Sequence, residues 1–227
     1  MKEAKLKALL EVVIEHYIDK WEPIGSKFLH SLEETDYAPS TLRKYLNILE
    51  QDGLLYQPYK SAWRIPTVQW LEKYLDGLIA LPEEVKKDQN ENLHVPDDVT
   101  YARDDLRSVI ETLGEYADGA VVWFLKEDEY YYLWINNLLK DSFLPDVETT
   151  KYLIKFIEWK KLIEELDKKM IKRDQIYYTF IKANEKLISI VYTKLEINGY
   201  DAIISVLWPS RVDHRKNVAI LKRIVSW

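Results

Sequence analysis

The chain contains 227 residues, enough for two domains of ordinary size, and 47% of them are hydrophobic, so a buried core is expected. The absence of cysteine excludes disulfides, thiolate metal ligands and cysteine nucleophiles, and the four histidines lack metal-ligand spacing. The longest apolar run, residues 120–125, is too short for a membrane helix. We therefore expect a soluble, cytoplasmic protein without metal or cofactor, and the net charge of −6 argues against nucleic-acid binding through overall basicity.

An acidic, proline-containing stretch divides the chain. Residues 81–100 contain six acidic and two basic side chains, little apolar content and no periodicity, which is typical of a linker. The stretch separates a first domain, residues 1–80, from a second domain, residues 101–227.

Periodic apolar residues predict three helices at the start of the first domain. One apolar face runs over residues 6–21, and Pro23 ends that helix. Ser26 is expected to cap a short second helix, and Pro39 suits the first turn of a third helix that ends at Gly53. The third helix is predicted to bury Leu42, Leu46 and Leu49.

Two short extended segments and a further helix follow the third helix. The segments are residues 54–58 and 63–66, and the helix carries apolar residues from Trp70 to Ile79. Three helices, a β-hairpin and a helix in this order are typical of a winged helix-turn-helix.

The polar face of the third helix carries groups that can contact base edges in the major groove. These base-reading candidates are Ser40, Thr41, Arg43, Lys44 and Asn47. Contacts to the DNA backbone are expected from two places. At the start of the second helix, whose amides suit a phosphate, the candidates are Ser26 and Lys27. In the hairpin they are Tyr59, Lys60, Ser61 and Arg64. An ordinary solvated helix in a protein-interaction module fits the composition equally well.

A series of short motifs between residues 17 and 67 favours the DNA-binding alternative. In chain order they are YI from Tyr17, EPIGSK from Glu22, PSTLR from Pro39, LEQDGLL from Leu49, QP from Gln57 and SAWRIPT from Ser61. In order and spacing they resemble the N-terminal domain of the HrcA family, bacterial heat-inducible transcription repressors. The resemblance implies a non-enzymatic repressor of the heat-shock class, which binds an inverted-repeat operator upstream of chaperone genes as a dimer and has a chaperonin as a partner.

Three positions depart from the usual family pattern. Trp63 replaces the glycine of the hairpin. It either lies against the DNA backbone or packs under the hairpin as core, and we expect the packing. Ala38 replaces a serine that would cap the third helix. Lys44 replaces an asparagine on the reading face, so the preferred bases should differ from those of the family.

The second domain is predicted to be an antiparallel α+β domain, which makes the whole chain α+β. The predicted elements are a helix over residues 106–116, strands 120–125 and 129–135, a long helix over 147–166, strands 175–182, 187–196 and 202–207, and a helix over 218–225. Asn198-Gly199 is a strong hairpin signal between two of these strands. A weaker resemblance to HrcA continues through residues 143–169 and 199–214, and it implies a reduced GAF-like domain without the family's inserted dimerisation subdomain.

No motif in the second domain indicates catalysis. Glu127-Asp128-Glu129 is predicted to be a solvated turn rather than a metal site, and Arg211, Asp213 and His214 a structural salt link. The aromatic residues of 130–134 alternate across a strand, so one side is core and the other could form an interface. Two alternatives to the repressor stay open: a metabolite-sensing winged-helix regulator that uses the GAF-like domain, and a protein-interaction adaptor.

Overall fold

The computed structural model describes most of the chain between residues 2 and 225. The residues outside this description are 1, 21–22, 33–36, 58–62, 82–105, 118, 127–128, 134, 136, 138–146, 159–160, 168, 184–185, 198, 210–213 and 226–227. The chain divides into two compact units, Met1–Gly77 and Leu78–Trp227. Apart from Leu81, the predicted linker 81–100 lies outside the described residues.

The first unit combines helices with a small antiparallel sheet. Its described elements are α1 (Lys2–Lys20), α2 (Ser26–Ser31), α3 (Pro39–Gln51), β1 (Leu55–Tyr56), β2 (Ile65–Pro66) and α4 (Val68–Ala80), whose last three residues belong to the second unit. β1 and β2 are antiparallel, with Tyr56 opposite Ile65. Ile24, just before α2, exchanges two backbone hydrogen bonds with Arg64, at 2.9 and 3.0 Å. These bonds tie the start of α2 to the residue that precedes β2.

The core of the first unit lies between α1, α2, α3 and β1. It contains Leu9, Val13, Ile24, Leu29, Leu42, Leu46, Leu49 and Leu55, each at most 2% exposed. The three α3 leucines in this cluster are those predicted from the sequence, and their spacing of four and three residues places them on one side of the helix. Burial of a leucine stabilises a fold by roughly 1.5–3 kcal/mol, so this contact holds α3 firmly in place.

The end of α3 and the start of α4 are joined by hydrogen bonds within two of the quoted motifs. At the end of α3, the Leu54 amide donates to the Leu49 carbonyl and the Gly53 amide to the Glu50 carbonyl. This Schellman arrangement requires a left-handed residue, and Gly53 has a φ of 71°. Thr67 caps α4, because its Oγ1 accepts a hydrogen bond from the Trp70 amide at 3.2 Å and donates one to the Gly53 carbonyl at 2.6 Å.

The second unit contains a five-stranded sheet and helices. Its described elements, after the end of α4, are α5 (Leu106–Tyr116), β3 (Ala120–Lys126), β4 (Glu129–Leu133), α6 (Val147–Glu158), α7 (Lys161–Asp167), β5 (Ile176–Ala183), β6 (Lys186–Ile197), β7 (Tyr200–Pro209) and α8 (His214–Val225). The prediction of a mixed α+β chain is confirmed. Where one helix over 147–166 was expected, the described residues form α6 and α7, on either side of 159–160.

The strands run antiparallel in the order β4-β3-β7-β6-β5. Ile197 is opposite Tyr200, so β6 and β7 form the hairpin predicted at Asn198-Gly199, and Gly199 has a φ of 80°. α6 and α7 pack on one face of the sheet, in a cluster that includes Val122, Ile190 and Leu207. Residues of the opposite face, such as Val191, Val206 and Trp208, are also fully buried, and α8 contacts β5 and β6. The sheet is therefore covered on both faces.

Candidate nucleic-acid interface

The side of α3 opposite its buried leucines carries a stripe of exposed polar side chains. Its members are Ser40, Arg43, Lys44, Asn47 and Gln51, all exposed. Steps of three and four residues place them on one face of the helix. Four of the five predicted base-reading residues therefore lie together, while Thr41 lies at the edge of the stripe and is half-buried. The predictions did not include Gln51, which the same spacing would have added.

The electrostatics of this stripe, the α3 stripe, favour an anionic partner. Arg43 and Lys44 lie in the first turns of the helix, and no acidic residue belongs to the stripe. Of the carboxylates at the end of α3, that of Glu50 accepts a hydrogen bond from Arg64 Nε at 3.0 Å, whereas Asp52 is exposed at the C-cap. The first turns of the stripe therefore present cationic and neutral donors toward solvent.

Neighbouring residues hold α3 at its N-terminal end. Pro39 occupies the first turn, where its missing N–H costs nothing, and Ala38 precedes it without a side-chain cap, as the sequence indicated. His30 in α2 contacts the Tyr37 carbonyl through Nδ1 at 3.0 Å, and the Tyr37 ring packs edge-on against Tyr45 at 5.5 Å. Tyr37 is thus tied both to α2 and to α3.

Arg64 does not occupy the position expected for a phosphate contact. Its side chain is only 11% exposed, and the guanidinium points back to α3, where it contacts Glu50 and donates to Asn47 Oδ1. Glu50 and Asn47, one turn apart on α3, together offer its guanidinium two acceptors. This position argues against the DNA-backbone contact that was predicted for Arg64 from the sequence.

The start of α2 also differs in detail from the prediction. Gly25, not Ser26, is the N-cap residue, with no side-chain cap bond, and Ser26 is the first helical residue. Ser26 is half-buried and Lys27 is exposed. Gly25 has an extended backbone, so its role is steric: a Cβ there would lie 3.0 Å from two ring atoms of Trp63.

Trp63 is an exposed aromatic residue rather than a core residue. Its ring packs against Gly25 on one side, yet 52% of the residue remains exposed, so the expectation that Trp63 packs under the hairpin as core is wrong. The predicted hairpin contacts Tyr59, Lys60 and Ser61 lie outside the described residues.

In the second unit, several candidate residues of the sequence analysis lie outside the described part: Glu127, Asp128, Trp134, Arg211 and Asp213. His214 is fully buried, and its Nδ1 accepts a hydrogen bond from Trp208 Nε1 at 3.0 Å, which is a structural role.

Among the described residues, no group of three or more His, Asp or Glu side chains is placed to hold a metal ion. No described helix is long and apolar enough to cross a membrane.

Comparison with known proteins finds HrcA repressors that are similar to about a third of this chain. The heat-inducible transcription repressor HrcA of Synechococcus sp. (strain RCC307) is 38% identical over 74 residues, which are 33% of this chain and 22% of that protein. HrcA of Erythrobacter litoralis (strain HTCC2594) is 33% identical over 85 residues, 37% of this chain and 25% of that protein. About a third of this chain is similar to HrcA repressors. The predicted resemblance is therefore confirmed, although the chain spans only about a quarter or less of the length of these curated relatives.

The fold as a whole has a solved counterpart. A crystal structure of a hypothetical protein at 2.2 Å resolution covers 98% of this chain and 96% of its own, with a TM-score of 0.73 and 15% sequence identity. At this identity the likeness shows the fold alone. No family model matches the chain.

Proposed function

We propose that this protein is a sequence-specific DNA-binding transcriptional repressor of the HrcA-like, heat-shock class. The first unit acts as a winged helix-turn-helix, in which α3 enters the major groove and the β1–β2 hairpin lies along the DNA backbone. Two copies bind an inverted-repeat operator upstream of chaperone genes in the bacterial cytoplasm, with a chaperonin as a further partner, and the second unit is a reduced GAF-like domain. The protein represses by occupying the operator and catalyses no reaction.

The α3 stripe is the observation that carries this proposal. Its arginine, lysine, amide and hydroxyl groups are the types that hydrogen-bond to base edges in the major groove. They extend from a helix whose opposite side is fully buried, so the helix that carries them is held in a fixed orientation. The similarity to HrcA repressors supports the same function independently of this geometry.

Two copies are needed because the described residues of α2 and α3 offer few phosphate contacts in one first unit. Lys27, Arg43 and Lys44 are the exposed cationic residues of α2 and α3. Since each phosphate contact contributes about one unit to the salt slope, a single unit would bind weakly and with shallow salt dependence. Two linked units on one palindrome gain affinity through effective concentration.

The proposal is tested by measuring the affinity of the full chain for the promoter regions of chaperone genes from its own genome, by fluorescence anisotropy at several salt concentrations. Arg43→Ala is expected to weaken specific binding about 5- to 150-fold, which corresponds to about 1–3 kcal/mol, and to relax preference at one position per half-site. Lys27→Ala is expected to weaken binding to all sequences alike and to lower the salt slope by about one.

Lys73→Ala is the matched control, because it removes one exposed lysine from α4, a helix that is not part of the α3 stripe. It should leave both preference and slope near those of the unaltered protein. If Arg43→Ala and Lys73→Ala had equal effects, α3 would not be the reading helix. If the unaltered chain preferred no sequence, the repressor function itself would be wrong.

A further inference from the structure

The contact between Arg64 and Asn47 fixes the orientation of an amide group on the α3 stripe. The Arg64 guanidinium donates to Asn47 Oδ1. Guanidinium groups carry only donors, so the atom of the amide that faces Arg64 must be the carbonyl oxygen. The amide nitrogen, on the other side of the same carbon, is left for a partner outside the protein, and Asn47 is exposed.

Arg64 is itself held in place both by its backbone and by its side chain. Its backbone exchanges two hydrogen bonds with Ile24, its Nε donates to Glu50 at 3.0 Å, and its side chain is 11% exposed. Rotation of the guanidinium toward DNA would leave the partly buried Glu50 carboxylate without this ion pair, which is costly. The oxygen of Asn47 therefore stays engaged when DNA approaches.

A fixed amide of this kind distinguishes among bases. The usual asparagine–adenine pair uses both groups of the amide, since the oxygen accepts from N6 and the nitrogen donates to N7. With its oxygen directed at Arg64, Asn47 can offer only N–H donors. Guanine presents two adjacent acceptors, O6 and N7, in the major groove, whereas adenine places a donor beside N7 and thymine a methyl group beside O4.

We infer that Asn47 reads guanine through its amide nitrogen, and that Arg64 is a positioning residue that sets this specificity without contacting a base. The inference rests on the proposed function, because it requires α3 to lie in the major groove. It replaces the role of Arg64 as a phosphate contact with an indirect role in base selection.

The experiment is selection of bound sequences from a random double-stranded DNA library by the full-length protein and four variants. Asn47→Asp keeps an oxygen for Arg64 but replaces the outward donor by an acceptor, so guanine should give way to cytosine, whose N4 is a donor, at one position per half-site. Asn47→Ala should lose preference at that position only. Arg64→Met frees the amide, so adenine should rise about tenfold relative to guanine there, and Arg43→Ala should affect a different position.

Circular dichroism of each variant establishes that the helices are retained, and base frequencies at a single position report specificity rather than folding. Adenine at the Asn47 position in the unaltered protein, or an unchanged preference in Asn47→Asp, would overturn the inference. If Arg43→Ala still altered its own position in that case, the proposed function would survive. Absence of any selected sequence with the unaltered protein would overturn both.

Discussion

Replacement of Thr67 by valine should loosen the start of α4 by about 2 kcal/mol. The Thr67 hydroxyl accepts a hydrogen bond from the Trp70 amide at 3.2 Å and donates one to the Gly53 carbonyl at 2.6 Å. Valine has nearly the same shape and keeps the backbone bond from residue 67 to the Leu54 carbonyl at 3.0 Å. A lost helix cap costs about 1 kcal/mol and a lost hydrogen bond about another 1 kcal/mol, which gives the total.

Hydrogen exchange of the α4 amides in the full-length protein measures this loss locally. Because 1.4 kcal/mol corresponds to a factor of ten, exchange at Trp70 should become about 30-fold faster in Thr67→Val. Thr67→Ser is the matched control: it keeps the hydroxyl and loses one methyl group, worth about 0.8 kcal/mol at most. Exchange in Thr67→Val within about threefold of the unaltered protein would refute the capping role that we assign to this residue of the RIPT motif.

Three further predictions concern stability. Gly77 lies exposed within α4 and a Cβ there would meet nothing within 4 Å, so Gly77→Ala should stabilise the helix by up to about 1 kcal/mol. A lower melting temperature of this variant, measured by circular dichroism, would contradict the prediction. Hydrogen bonds from Lys194 and Arg173 hold the pKa of Asp201 below its usual value. The stability that the ionised Asp201 contributes is therefore present above its unfolded-state pKa, and it is lost as the pH falls through the lower folded-state pKa. Urea unfolding of Asp201→Asn should show a weaker acid dependence than that of the unaltered protein. Burial, with a smaller contribution from Tyr177, raises the pKa of Tyr192 to about 12. As the pH rises, Tyr192 therefore ionises in the unfolded chain before it does in the folded protein, and stability should fall above about pH 10. Tyr192→Phe should reduce that fall in alkaline urea titrations.

Local features of the first unit could be predicted from the sequence because they depend on short-range rules. The apolar spacing of Leu42, Leu46 and Leu49 determines which side of α3 is buried, and so which side carries the stripe. Pro39 and Gly53 mark the two ends of that helix, since one lacks an amide proton and the other tolerates a left-handed backbone. The same reasoning located the β6–β7 hairpin at Gly199.

Only the tertiary structure decided where long-range partners meet. The sequence shows Arg64 as one more cation of a hairpin. Its position against Asn47 and Glu50 depends on contacts with α3, 14 to 17 residues away along the chain. The contact of Trp63 with Gly25 depends likewise on the pairing of Ile24 with Arg64. The sheet order, in which β7 separates β3 from β6, follows from the same kind of pairing, because hydrogen bonds between strands carry no signal in local periodicity. The sequence thus determines which residues face outward from α3, while the fold decides which of their atoms remain available to a base.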